Sequence, residues 1–440
     1  MVRRVKLPNL NQVILTLLIL QVIFFRWISL ELQDVINILL VGLILLALVR
    51  CRNILRLKCT LFLILFFCYQ IINFVVLGGS VNYLLRNWFR TFKSLIIIFY
   101  ITNLLKINPK AITGILEKWW IWFNLYALVN MPILLQQRRY NFSLTTLASF
   151  LGKISYKSSS YYSKDMMSGL FGLYGTPCLA AFITFLILYN YVDIRQGKRK
   201  RYKIAIANNI CISIFYFWMA TQNDNKGFYI MFFLFACTLL VCFYEGEILT
   251  LIQRNNVIKK RINNVMKLGI VFATICGISV VAYISLDNFR AIVDLAILKI
   301  REGFLAAEYS SYTSVDGGGE RFAMILYALS SLDSGLVGFG LGNYVYTAGN
   351  LGFAHFGQAD VGTFICLGGS IYILLMFGFI FQCFKRNFKN AFVTIILTLV
   401  FFVLSCYTHV LMDTSITVSM MLTYVVCWLA YNNCEYGAKK

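Results

Sequence analysis

Apolar residues run through this chain in long blocks, broken by short polar or basic stretches. A helix that crosses a bilayer needs about 20 mostly apolar residues. Twelve stretches fit that description, near 11–28, 34–49, 59–77, 91–107, 119–136, 169–192, 204–221, 227–244, 268–286, 361–382, 391–408 and 416–432. The pattern predicts an all-α polytopic membrane protein of about twelve transmembrane helices, forming one integral membrane domain over 1–440.

Composition agrees. The chain is 60% hydrophobic and 13% charged, against about 45–50% and 25% for a soluble domain. That much apolar surface would aggregate in water, which excludes a cytosolic globular protein. The formal charge of +22 would point to nucleic acid in a soluble protein. Here the basic residues sit in short runs between apolar blocks, the mark of membrane topology and anionic headgroups. The expected partner is the lipid bilayer, with no nucleic acid. Four prolines and no Ser/Pro or Gly/Ser linker give no sign of a second, soluble domain. Arg3, Arg4 and Lys6 precede an apolar run from Val13 to Phe25 without a small-residue cleavage site, so this segment reads as a retained first helix. The 13 cysteines fall in apolar spans or basic loops and read as small packing residues, with neither a disulfide framework nor a zinc-type CxxC pair.

Charge also sets orientation. With both termini in the cytoplasm, the inner segments are 1–10, 50–58, 106–118, 193–203, 244–267, 383–390 and 432–440. They hold 26 of the 40 Lys and Arg and 5 of the 18 Asp and Glu, a net +21, and the rest of the chain nets +1. Every inner segment is net basic, as the positive-inside rule requires.

Two outward loops are enlarged, 137–168 and 287–362, and long loops in a compact protein are usually functional or disordered. The first is rich in Ser, Tyr and Lys. The second holds eight acidic and four basic residues. Its stretch 288–306 has a polar face through Arg290, Asp294 and Arg301, as expected of a helix lying on the membrane surface, and Arg290 and Asp294 are spaced to pair. A second short helix is predicted from about Glu320 to just before Gly335. There GLVGFGLG places four glycines in eight residues and permits close backbone approach.

Candidate chemistry gathers on the outward side. Both histidines, His355 and His409, fall there, with Asp360 near the first and Asp413 four residues after the second. Each reads either as a functional group or as a structural interfacial histidine. Arg86, Arg90, Arg138, Arg139, Lys226 and Arg321 form a cationic rim suited to phosphate or pyrophosphate; the plainer reading of each is a side chain reaching for headgroups. Walker, HExxH, GxSxG and dinucleotide-binding patterns are missing, which disfavours ATP-driven transport and familiar hydrolase sites. Outer-loop tyrosines such as Tyr161, Tyr162, Tyr344 and Tyr346 suit stacking on sugars.

Three stretches carry a family resemblance. SGLFGLYGTPCLAAF (168–182) resembles a G-L-F-G-N-P-N-x-L-A entry to the sixth span. TQNDNKGFYIMFF (221–233) resembles an S-R-G turn between spans. ERFAMILYALSSLDSGLVGFGLGNY (320–344), with 355–369 behind it, resembles an R…G-x-G…H-N…G outer-loop signature. Together with the two enlarged loops, the chain resembles the bacterial polysaccharide repeat-unit polymerases (Wzy-like) and O-antigen ligases. It departs from them at Lys226, where the family has arginine, and at His355, which Phe rather than Asn follows.

The resemblance implies a GT-C-like glycosyltransferase of the bacterial plasma membrane that needs no metal and no cofactor. It would use undecaprenyl-pyrophosphate-linked oligosaccharide, alongside a flippase and a chain-length regulator. Arg321, Lys226 and Arg138 or Arg139 would hold pyrophosphate. His355 would be the base, with Glu320 and Asp360 as competitors. A ligase of the same family is not separated from a polymerase by any sequence feature. A lipid-linked oligosaccharide flippase would need a charged cavity within the spans. A solute transporter is disfavoured because neither inverted repeats nor Pro-broken spans are detected.

Overall fold

The computed structural model describes residues 10–24, 30–50, 58–140, 167–172, 175–196, 202–223, 225–254, 317–329, 332–342 and 359–437, with single positions between 283 and 301. Among these residues every regular element is helical, and the one β contact is an isolated parallel bridge between Gly79 and Gly342. In chain order the helices are α1 (Leu10–Ile23), α2 (Leu30–Val49), α3 (Lys58–Leu77), α4 (Val81–Ile107) and α5 (Pro109–Tyr140). A 3-10 turn (Gly169–Phe171) leads to α6 (Thr176–Arg195), α7 (Tyr202–Gln222) and α8 (Lys226–Arg254). The last are α9 (Gly317–Leu329), α10 (Leu332–Val337), α11 (Asp360–Lys385), α12 (Ala391–Tyr407) and α13 (Thr414–Gly437).

The long helices are of membrane-spanning type. Six of them, α3, α6, α7, α8, α11 and α13, are long and apolar enough to cross a bilayer; α4 and α5, bent by 107° where they meet, add a seventh if counted as one broken span. The pattern predicts twelve. Three of the missing blocks, α1, the described part of α2, and α12, are apolar but short. The 17 residues of α12 reach about 26 Å, against a hydrocarbon core of about 30 Å. The block at 268–286 lies mostly outside the described residues.

Two boundaries differ from the pattern for clear reasons. α4 begins at Val81 rather than near 91, because its first turns are helical although Arg86, Asn87 and Arg90 lower their hydropathy. α6 begins at Thr176 rather than near 169. Gly169 and Gly172 have φ of 60° and 73°, which a helix excludes, and Pro177 favours a helix start. On the second loop, Arg290 pairs with Asp287 at 3.7 Å, while Asp294 accepts from the Tyr283 hydroxyl at 2.8 Å. The second predicted helix arrives in two pieces, α9 and α10, and the second of these passes through Gly335.

Burial separates core helices from peripheral ones. In α13 94% of the apolar window is buried and in α6 83%, but only 22% in α3 and 28% in α7. α13 packs on α8, α6, α1 and α4, and α11 packs on α3, α12, α10 and α9. The outer faces of α2 and α3 present Val35, Ile38, Leu39, Ile71, Val75 and Val76. Exposed apolar residues of this kind on helices of spanning length fit a face turned to lipid.

α11 is a broken helix. Gly369 takes φ 70°, ψ −172° in its interior, nine residues and about 14 Å beyond Asp360. The carbonyls freed by the break are used by an inserted segment. Phe339 N donates to Cys366 O (2.8 Å), Gly340 N to Leu367 O (3.0 Å), and the Tyr69 hydroxyl to Gly368 O (2.6 Å). Asn73 donates to Val337 O and accepts from Leu341 N, and Asn87 donates to Leu341 O. Irregular backbone at such depth is tolerated where protein groups satisfy it. The break comes from glycine, so a reading tuned to proline misses it; Pro132 meanwhile sits inside α5 without ending it.

A second buried turn mirrors the first. Residues 167–172 are buried, with Gly169 N donating to Gln137 Oε1 and Leu170 N to Asn130 Oδ1. A Cβ on Gly169 would overlap the Asn130 amide.

Helix ends meet in two groups. At one end α6, α8, α11 and α4 meet through Arg195 over the Phe243 ring, Asn387 on Thr102 O, Asn390 on Glu245, and Arg386 on Asn103. At the other, α3, α6–α8, α9, α11–α13 and α1 meet through the inserted segments and interhelical turns. The first group holds the basic loops and the second the enlarged ones.

Candidate functional site

The loop end is organised around the turn from α12 to α13. Asp360 opens α11 and is fully buried; its N–H donates to Thr408 O (3.3 Å) and its Oδ2 accepts from Leu411 N (2.5 Å). Asp413 caps α13, its Oδ1 accepting from Ser415 N (2.8 Å) and Ile416 N (3.2 Å). The His409–Asp413 spacing closes through the backbone, with Asp413 N donating to His409 O at 3.2 Å. Two carboxylates thus fix the shape of this turn.

Tyr407 is the focus. Arg321 of α9 donates from Nη1 to Tyr407 O (2.8 Å) and places its guanidinium 5.0 Å from the Tyr407 ring centre. Its Nε is buried without a partner among the described residues, although the side chain as a whole is only half-buried. Gly362 allows α9 this close, since a Cβ there would stand 3.2 Å from Arg321 O. The α7–α8 turn reaches the same tyrosine. A Cβ on Gly227 would lie 2.9 Å from Tyr407 Cε1. Asn225 Nδ2 anchors that turn on Thr176 O (3.0 Å). The fold therefore carries the backbone of Lys226, the first residue of α8, to the tyrosine that holds Arg321.

The other expected residues fall as follows. Arg138 and Arg139 are exposed in the last turn of α5, Arg138 over Trp218 at 5.0 Å and Arg139 over Tyr140 at 5.2 Å. Asp360 is enclosed and tied to the backbone. Glu320 lies in the first turn of α9. His355 and the side chains of Glu320 and Lys226 lie outside the described residues.

Two contributors escaped sequence reasoning. Tyr407 looked like one more aromatic interface anchor, and only the approach of α8 and α9 distinguishes it. Lys93 is half-buried on α4. Its signal was the spacing of Arg86, Arg90 and Lys93, visible once α4 is one helix from Val81.

No protein-family model, no curated protein and no solved structure matches this chain.

Proposed function

We propose that this protein polymerises lipid-linked oligosaccharide repeat units at the outer leaflet of a bacterial plasma membrane. The observation that carries the reading is the convergence on Tyr407 of Arg321 and of the turn bearing Lys226. These are two of the cations for which a pyrophosphate role is expected, 95 positions apart in sequence. In support, the helix ends sort into one basic group and one loop group, as twelve alternating crossings with cytoplasmic termini would require.

In this reaction a hydroxyl of a lipid-linked repeat unit attacks the anomeric carbon of the growing chain. A new C–O bond forms, and the bond from that carbon to the pyrophosphate oxygen breaks. Undecaprenyl pyrophosphate leaves, and the hydroxyl proton passes to a base. Arg321 and Lys226 stabilise the charge that develops on the leaving group. The Nε of Arg321, which has no partner among the described residues, is the donor offered to a phosphate oxygen. Arg138 and Arg139, at the rim, serve the approach of the anionic headgroup. Asp360 positions the α12–α13 turn, which leaves the base role to His355 or Glu320.

Deletion of the protein followed by analysis of lipid-linked intermediates tests this. Single repeat units should accumulate on the outer leaflet. Intermediates trapped on the inner leaflet would make the protein a flippase, and finished long chains retained on lipid would make it a ligase.

A further inference from the structure

The inserted 337–342 segment does more than meet the break in α11; it also holds α9, the helix that carries Arg321. The Phe339 ring stacks on Tyr327 of α9, with centres 5.4 Å apart and planes at 29°. The Ser334 hydroxyl of α10 donates to Ala328 O of α9 (2.8 Å), and the Ser370 hydroxyl of α11 donates to Gly335 O of α10 (2.8 Å). Along α9, Arg321, Met324 and Ala328 stand at i, i+3 and i+7 and so share one face. Met324 and Ala328 are fully buried, and the Cys366 thiol of α11 donates to Met324 O at 3.5 Å. Arg321 therefore leaves α9 from the face by which the helix docks, about 10 Å along it from Ala328.

The segment itself is closed by a side chain of α3. Gly338 and Gly340 have φ of 74° and 106°, torsions that glycine adopts freely and that no side chain of its own can fix. Asn73 supplies the restraint from outside. Its Nδ2 donates to Val337 O (2.7 Å), and Leu341 N donates to its Oδ1 (3.0 Å). One buried amide thus grips both ends of the turn. An aliphatic side chain can make neither bond, and a buried N–H or C=O left open costs its desolvation. Gln70 lies three residues earlier on the same buried face of α3. Neither of its amide atoms has a partner among the described residues. The two amides therefore differ in what they hold, not in where α3 buries them.

We propose that Asn73 is a positioning residue for the Tyr407 site. By closing the inserted segment it sets the seat of α9, and with it the reach of Arg321 to Tyr407 O. That bond spans 2.8 Å, and a misplacement of about 1 Å costs a positioned reaction about a hundredfold. That the site serves a polymerase rests on the reading above; the placing of α9 by Asn73 does not.

The test uses the purified full-length protein in phosphatidylcholine nanodiscs. Its first readout is the affinity for farnesyl diphosphate in a double-mutant cycle. Arg321→Ala and Asn73→Leu should each weaken binding by about tenfold, and the double variant by little more than either alone. Unchanged affinity in Asn73→Leu overturns the proposal, as do losses that multiply to about a hundredfold, the mark of independent sites. The second readout is the distance between genetically encoded spin labels at Leu329 and Tyr140, both exposed. Asn73→Leu should shift or broaden that distance, and Gln70→Leu should leave distance and affinity as in the parent. An unmoved distance in Asn73→Leu overturns the proposal, and so does an equal effect of Gln70→Leu. If Asn73→Leu does not fold, Asn73→Thr, which keeps one polar group in place of two, decides by the same criteria. If Arg321→Ala alone keeps full affinity, the pyrophosphate role fails and the distance decides the placing of α9. Normal polymer in a deletion strain, beside coupled losses in the cycle, would sink the polymerase reading and leave the role of Asn73 standing.

Discussion

Arg321 shows how a residue on a loop becomes part of a site. Alone it is one of several cations that the charge pattern expects on the outer side; the Tyr407 carbonyl and ring fix its guanidinium, while its Nε has no partner among the described residues. Lysine lacks the planar fork and stacks less well. Arg321→Ala should therefore abolish long polymer, and Arg321→Lys should leave only a small fraction of it, both at wild-type protein levels on immunoblot. Normal chain length in Arg321→Ala would remove the residue from the site. Arg321 was legible in the sequence because an outward arginine beside a glycine-rich turn is conspicuous. Tyr407 was not, because one tyrosine among 26 gains meaning only from what packs on it. Asp360 was legible as a carboxylate near His355, but its burial and its bond to Leu411 depend on a turn about 50 positions later.

At the scale of elements, hydropathy located helices well and irregular backbone poorly. Long apolar runs announce themselves through composition. The dip from Val337 to Gly342 does not, because its amides are satisfied by α3, α4 and α11, which are remote in sequence. The four glycines were the visible trace of that close approach. Gly369 is the matching requirement on α11: a Cβ there would lie 2.2 Å from Leu336 O, and its φ is 70°. Both the overlap and the torsion disfavour any other residue. Gly369→Ala should destabilise the folded protein by about 1–3 kcal/mol or more, seen as a lower melting temperature in detergent. Gly42 has nothing within 4 Å of an added Cβ, so Gly42→Ala provides the control and should melt as the parent does. Equal melting of the two variants would contradict the docking of α10 against the break.

For the whole molecule, the charge pattern predicts an orientation with the basic loops in the cytoplasm. Alkaline phosphatase, active only outside the cytoplasm, should be active when fused after Tyr140 and inactive when fused after Gln196. The reverse result would invert the molecule and place Tyr407 on the cytoplasmic side. The glycine-lined dip also dictates an order of assembly. Its partners on α3 and α4 emerge from the ribosome more than 250 residues earlier, and α11 emerges after it. Until the 337–342 segment is made, Asn73 and Asn87 lack the backbone they bind, and that segment in turn waits for the α11 carbonyls of Cys366 and Leu367. The N-terminal half is thus a scaffold finished only by the C-terminal third, and a nascent chain halted in between presents the cell with an unmistakably incomplete product.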